Sequence, residues 1–285
     1  EAVLGNHELG RPIGGNKETI GAVTRDAVWQ HYKENYRPQD LVVAAAGGVK
    51  HSEFVALVEK ELSAAGWDLG QSAAPVARRS NQQAKITRGL PLQVIKRPIA
   101  QANILLGMPG IIGNDPRRYA MGILNTVLGG GMSSRLFQQV REERGLCYSI
   151  FSFAQLMSDT GVFGIYAGTS EDSLNEMLEV SARAFGDVAS SVSEVEMARA
   201  RTQLKASVMM GLDSSSALNE HLARQILMFG EVPQTDNIIA AIEAVTADEV
   251  RRLAEKLISS TTPSLSLVGP AGHALTTDQL SSFMM

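Results

Sequence analysis

Between residues 129 and 150 the chain reads GGGMSSRLFQQVREERGLCYSI, a glycine triplet, two serines, several charges and the sole cysteine in one short run. Three chemistries could draw on such a set. A phosphate cradle needs Gly-x-x-x-x-Gly-Lys-Ser/Thr after a strand, or Gly-x-Gly-x-x-Gly between strand and helix. Neither pattern is present, and glycines that follow a helix more readily end it. A nucleophile could be Ser133, Ser134 or Cys147, but no Gly-x-Ser-x-Gly elbow surrounds the serines and no base is hinted beside the cysteine. The serines read as helix caps and the cysteine as strand core. The third chemistry belongs to Arg141 and Tyr148. Arg141 closes a helix, Gly145 permits a turn and Tyr148 opens the next strand, so both side chains can face one cleft. Arginine there offers charge-assisted hydrogen bonds to carbonyls or carboxylates, and tyrosine a hydroxyl on a rigid ring. A plainer account stands beside it, with Arg141 complementing the helix C-terminus and Tyr148 packing with its hydroxyl at the surface.

Metal chemistry finds less support. The five histidines, at 7, 31, 51, 221 and 273, include no pair one helical turn apart. HYKEN, residues 31–35, comes close to the His-x-x-Glu-His signature that binds zinc and activates water. Asn35 takes the place of the second histidine, and an amide is a poor zinc ligand. His31 therefore reads as part of a packing face and Glu34 as a solvated charge.

The elements that would position these residues follow from periodicity. Thr24 caps a helix from Arg25 that ends at Arg37-Pro38, and DLVVAAAGG after it reads as a strand. Ser52 opens a second helix with Phe54, Val55, Leu57, Val58 and Leu62 on its apolar face. Residues 67–90 lose periodicity and read as a linker. LQVIKRPIAQANILLGMPG then suggests strands of a half-exposed antiparallel sheet. Asp115 as N-cap and Pro116 as first helical residue introduce the helix that runs into the glycine triplet. CYSIFSFAQLM and GVFGIYAGT read as paired strands turning at Ser158-Asp159. Helices are expected over 171–188, 193–211, 214–229 and 247–259, with SLSLVG as a closing strand. Strands and helices are partly segregated, which favours an α+β fold with a mostly antiparallel sheet. The segment from Thr24 and that from Thr246 share the order threonine, acidic residue, helix, proline, strand, glycine. This suggests an internal repeat of one fold whose first copy is truncated at its N-terminal side.

Composition sets the outer bounds. With 285 residues, 44% apolar and 20% charged, the chain suits a globular protein of up to two domains. The net charge of -4 gives no electrostatic reason to expect nucleic acid. LVVAAAGGV is about half the length of a membrane span, so no membrane partner is expected. One cysteine excludes an internal disulfide and suggests a reducing compartment.

Taken together, GGGMSSRLFQQVREERGLCYSI resembles the C-terminal-domain signature of the pitrilysin and mitochondrial-processing-peptidase family of inverted-zincin metallopeptidases. HELGRPIGG and NYRPQDLVVAAAGGVKH resemble the last third of that family's N-terminal domain. The resemblance implies that residues 1–66 end one peptidase domain, 67–90 link, and 91–285 form a second domain of the same fold, the two closing around an unfolded peptide. It implies that Arg141 and Tyr148 reach the substrate backbone beside the scissile bond, with Gly129, Gly130 and Gly131 next to them. Zinc is implied for the full-length protein, on a His-x-x-Glu-His helix that this sequence lacks, so the segment is expected to bind no metal and to cleave nothing alone. The implied function is the C-terminal part of a zinc metalloendopeptidase acting on unfolded peptides or presequences. The alternative is a non-catalytic homologous subunit that binds substrate or assembles with a zinc-bearing partner. Expected partners are the peptide and the missing N-terminal half or a homologous subunit. The abrupt start at Glu1 suggests the C-terminal portion of a longer protein. A cytoplasmic location is expected, an organellar matrix being the other possibility.

Overall fold

A computed structural model describes residues 1–5, 7–71, 82–270 and 274–285 of the chain. In chain order the helices α1 (Lys17–Ala22), α2 (Arg25–Asn35) and α3 (His51–Ala64) precede strands β1 (Leu92–Ile95) and β2 (Ala102–Pro109). Helix α4 (Arg118–Gly129), a π turn (Phe137–Glu142), β3 (Cys147–Leu156), β4 (Gly161–Thr169) and α5 (Leu174–Ser190) follow. Then come α6 (Glu194–Gly211), α7 (Ser215–Phe229), α8 (Thr235–Ala244), α9 (Ala247–Ser260), β5 (Ser264–Val268) and α10 (Thr277–Met284). They form two compact units.

The larger unit comprises Glu1–Pro12, Ser80–Ala206 and Ile238–Met285. Its five strands lie in the order β1-β5-β2-β4-β3, with β1 and β5 parallel and every other pair antiparallel. This is the α+β architecture expected from the sequence. Alternation puts Ile104, Leu106 and Met108 of β2 on the buried face, opposite Ala167, Ile165 and Phe163 of β4. Leu124 and Leu128 of α4, Leu178 and Phe185 of α5, and Leu253 and Leu257 of α9 complete the core. Each such side chain contributes about 1.5–3 kcal/mol by leaving water. The Phe163 and Phe185 rings meet with centroids 5.3 Å apart, joining sheet to helix.

Three local expectations need correction here. Helix α4 begins at Arg118 rather than Pro116. Asp115 accepts from the Arg117 backbone N–H at 2.8 Å and from its guanidinium at 2.9 and 2.6 Å, so the aspartate is spent on a turn instead of on the helix. Ser134 does not cap the next helix, because its hydroxyl donates back to the Gly131 carbonyl at 2.6 Å. That helix also leaves α geometry after Leu136 and becomes the π turn. Helices α1, α8 and α10 were not anticipated. Residues 72–81 of the expected linker, and His273, lie outside the described residues.

The smaller unit comprises Ile13–Arg79 and Ser207–Asn237. Thr24 caps α2 as expected, accepting from the Ala27 N–H at 3.2 Å, whereas α3 starts at His51 with no side-chain cap. The strand expected at 40–48 is overturned: Pro38–Asp40 is a single 3-10 turn and residues 41–46 belong to no ladder. A strand is stable only when a neighbour pairs its N–H and C=O groups, and no strand among the described residues does so. Instead Val43 to Ala46 line an open apolar hollow with Phe54 and Val58 of α3 and Leu222 and Ile226 of α7. No described residue of this unit is fully buried. The two threonine-capped helices α2 and α9 do match, but only α9 is followed by a paired strand, so an internal repeat is not shown.

Candidate functional site

Two departures from regular structure meet at Arg141 and Tyr148. Within the π turn the Glu143 N–H reaches back five residues to the Gln138 carbonyl at 2.9 Å. Leu136 and Val140, both wholly buried, fix the turn to the core. Gly145 closes it at φ 62°, where a side chain would be strained, with its N–H on the Arg141 carbonyl at 3.0 Å. Strand β3 then pairs Cys147 with Thr169 and Ser149 with Gly168, leaving Tyr148 as the extra residue of a β-bulge. A bulge re-aims the side chain it carries, and Tyr148 is 77% exposed.

The result is a compact group. The Arg141 guanidinium carbon lies 4.6 Å from the Phe137 ring centre and 4.9 Å from that of Tyr148. Its Nε is 3.7 Å from a carboxylate oxygen of Glu142. Among the described residues the Arg141 guanidinium makes no hydrogen bond, while Arg144 donates to the Gln139 carbonyl at 2.9 Å. An arginine held by rings with its donors unspent can bind a carbonyl or carboxylate.

The three glycines differ. A Cβ on Gly129 would come within 2.2 Å of the Ser152 backbone nitrogen, so this residue lets α4 lie directly on β3. Gly130 ends α4, and its carbonyl accepts from the Gln203 amide at 2.7 Å. Gly131 faces only the far end of the same Gln203 side chain.

One face of α6 supports the loop from Gly130 to Arg135, and sequence reasoning missed it. Glu196 takes the Arg135 guanidinium at 2.7 and 3.0 Å, Arg199 donates to the Ser133 carbonyl at 3.4 Å, and Gln203 holds Gly130. Residues 196, 199 and 203 have helical i, i+3, i+7 spacing, the one signal that could have marked them. Burial would raise the Glu196 carboxyl, but the Arg135 guanidinium and the two Ser193 donors outweigh it and hold it at about 2.

Other chemistries fare worse. Burial pushes the Cys147 thiol up, against the pull of nearby Arg141, which disfavours the thiolate a nucleophile needs. In HYKEN the Asn35 amide donates to the His31 carbonyl at 2.9 Å and Glu34 accepts from Gln30 at 2.5 Å, all on an exposed helix. Among the described residues no three His, Cys, Asp or Glu side chains are grouped as metal ligands, so these residues do not fit a zinc site. No described helix is long and apolar enough to cross a membrane.

Comparison with known proteins places these residues in context. Residues 22–204 match the family described as peptidase M16 inactive domain. An uncharacterized zinc protease of Streptomyces coelicolor is 39% identical over 269 residues, covering 94% of this chain and 58% of the relative. A probable mitochondrial-processing peptidase subunit beta of Arabidopsis thaliana is 32% identical over 271 residues, covering 92% of this chain and 50% of its own length. The chain thus spans roughly half to three fifths of the curated relatives it matches. A chain of complex III2 from Candida albicans shares the fold at a TM-score of 0.83 and 19% identity, over 99% of this chain and 68% of that one. A peptidase M16 inactive domain from Pseudomonas fluorescens does so at 0.75 and 20%, over 96% and 64%.

Proposed function

The chain belongs to the peptidase M16 family, and from that premise we propose that it supplies the substrate-gripping part of a longer zinc endopeptidase acting on unfolded peptides or presequences. The observation that carries this reading is the convergence of the π turn and the β-bulge on Arg141 and the exposed Tyr148. In this role the guanidinium donates to main-chain carbonyls of an extended peptide and the Tyr148 hydroxyl to a neighbouring one. Both stand on buried supports, so little ordering remains to be done when the peptide arrives. Gly130 and Gly131 form the adjoining wall, while Gly129 serves the packing of α4 on β3. Zinc, where the longer protein carries it, is held by residues outside this chain and supplies a Lewis acid for amide hydrolysis. This reading assigns residues 1–66 and 91–285 to two peptidase-like domains by descent, a division that the compact units cross at Glu1–Pro12 and at Ser207–Asn237, and a cytoplasmic location suits the unpaired cysteine.

The test is Arg141→Ala in the full-length protein. Peptide cleavage at limiting substrate should fall about 10- to 150-fold, the equivalent of about 1.5–3 kcal/mol for a hydrogen bond to a charged group. Unchanged cleavage would remove Arg141 from the site. A second reading is a non-catalytic homologous subunit. It predicts a full-length protein that binds peptide in an Arg141-dependent way and hydrolyses none.

A further inference from the structure

Resting on that peptide-binding reading, we propose that Phe137 is a positioning residue that orients the Arg141 guanidinium toward the peptide. An arginine head on a long stem has many rotamers, and among the described residues no hydrogen bond selects one for Arg141. Its nearest carboxylate, Glu142, is 3.7 Å away with its own side chain 53% exposed. Two aromatic rings, at 4.6 and 4.9 Å from the guanidinium carbon, hold it instead. A cation set over a ring is attracted by the ring's quadrupole, and a phenyl ring offers no oxygen acceptor, so the N–H donors stay available for a peptide carbonyl.

The two rings have different duties. Tyr148 is 77% exposed and carries a hydroxyl that can itself meet the peptide. Phe137 is half-buried and has no polar atom, so the face of its ring is what it can offer. Its own placement is settled from below, because the wholly buried Leu136 and Val140 flank it in the π turn. Support thus runs from core to Phe137, from Phe137 to Arg141, and from Arg141 to the peptide carbonyl.

A double-mutant cycle in the full-length protein tests this, read as fluorescence anisotropy of a labelled unfolded peptide. Phe137→Leu should weaken binding about two- to fivefold, the range of an exposed cation–π contact, and Phe137→Tyr should restore it. In an Arg141→Ala background Phe137→Leu should add nothing, since the group it orients is gone. An equal loss in both backgrounds makes Phe137 a general support of the fold and overturns the proposal. So does an unaffected Phe137→Leu alongside a weakened Arg141→Ala. An Arg141→Ala protein that binds as tightly as the parent defeats the peptide-binding reading itself, and this proposal with it. Should leucine lower the melting midpoint, Phe137→Met takes its place in the cycle with the same outcomes.

Discussion

Gly129 and Gly131 look alike in the sequence and should behave differently. A methyl on Gly129 would sit 2.2 Å from the Ser152 nitrogen, a strand backbone atom that cannot move without shifting β3. We expect Gly129→Ala to lose about 1–3 kcal/mol or more, as overpacked cores do, seen as a lower thermal midpoint. Gly131→Ala meets only a flexible side-chain end at 3.2 Å and should stay within about 0.5 kcal/mol of the parent. At this scale the sequence was partly legible. Arg141 and Tyr148 could be singled out because helix end, glycine and strand start are readable signals. Phe137 could not, because its stack on Arg141 depends on a π turn that no residue propensity announces.

Helix α6 acts as the splint for the loop that carries the signature, and its strongest tie should respond to pH. Glu196 titrates at about 2 in the folded protein and near the ordinary carboxylate value when unfolded. Its stabilising effect is therefore complete above about pH 4.5 and fades as pH falls toward 2. Glu196→Ala should cost about 2 kcal/mol at pH 7, because Arg135 then keeps its burial without its partner. In urea titrations the gap between parent and variant should narrow from pH 4.5 downward, and a gap that is constant with pH would contradict the ion pair's role. Elements that bury a complete face, such as β2, β4, α5 and α9, were readable from their periodicity. The strand expected at 40–48 failed for a different reason: LVVAAAGG has the composition of a strand, but pairing is a property of two segments and composition reports only one.

Across the whole molecule the two units differ in what they hide from water. The larger has a closed core between sheet and helices, while the smaller leaves Val28, Trp29, Tyr36 and Leu57 50–61% exposed. Amide hydrogen exchange should register this as faster exchange in α2 and α3 than in α5 and α9, because protection follows buried contact. Equal protection would contradict it. Calorimetry gives the same feature another meaning. Unfolding raises the heat capacity by newly hydrating apolar surface, about 12–15 cal/mol/K per residue for ordinary globular chains. Apolar groups that are already wet in the folded chain add nothing to that increment. Scanned by itself, the chain should therefore melt with a smaller heat-capacity step than an ordinary globular chain of 285 residues.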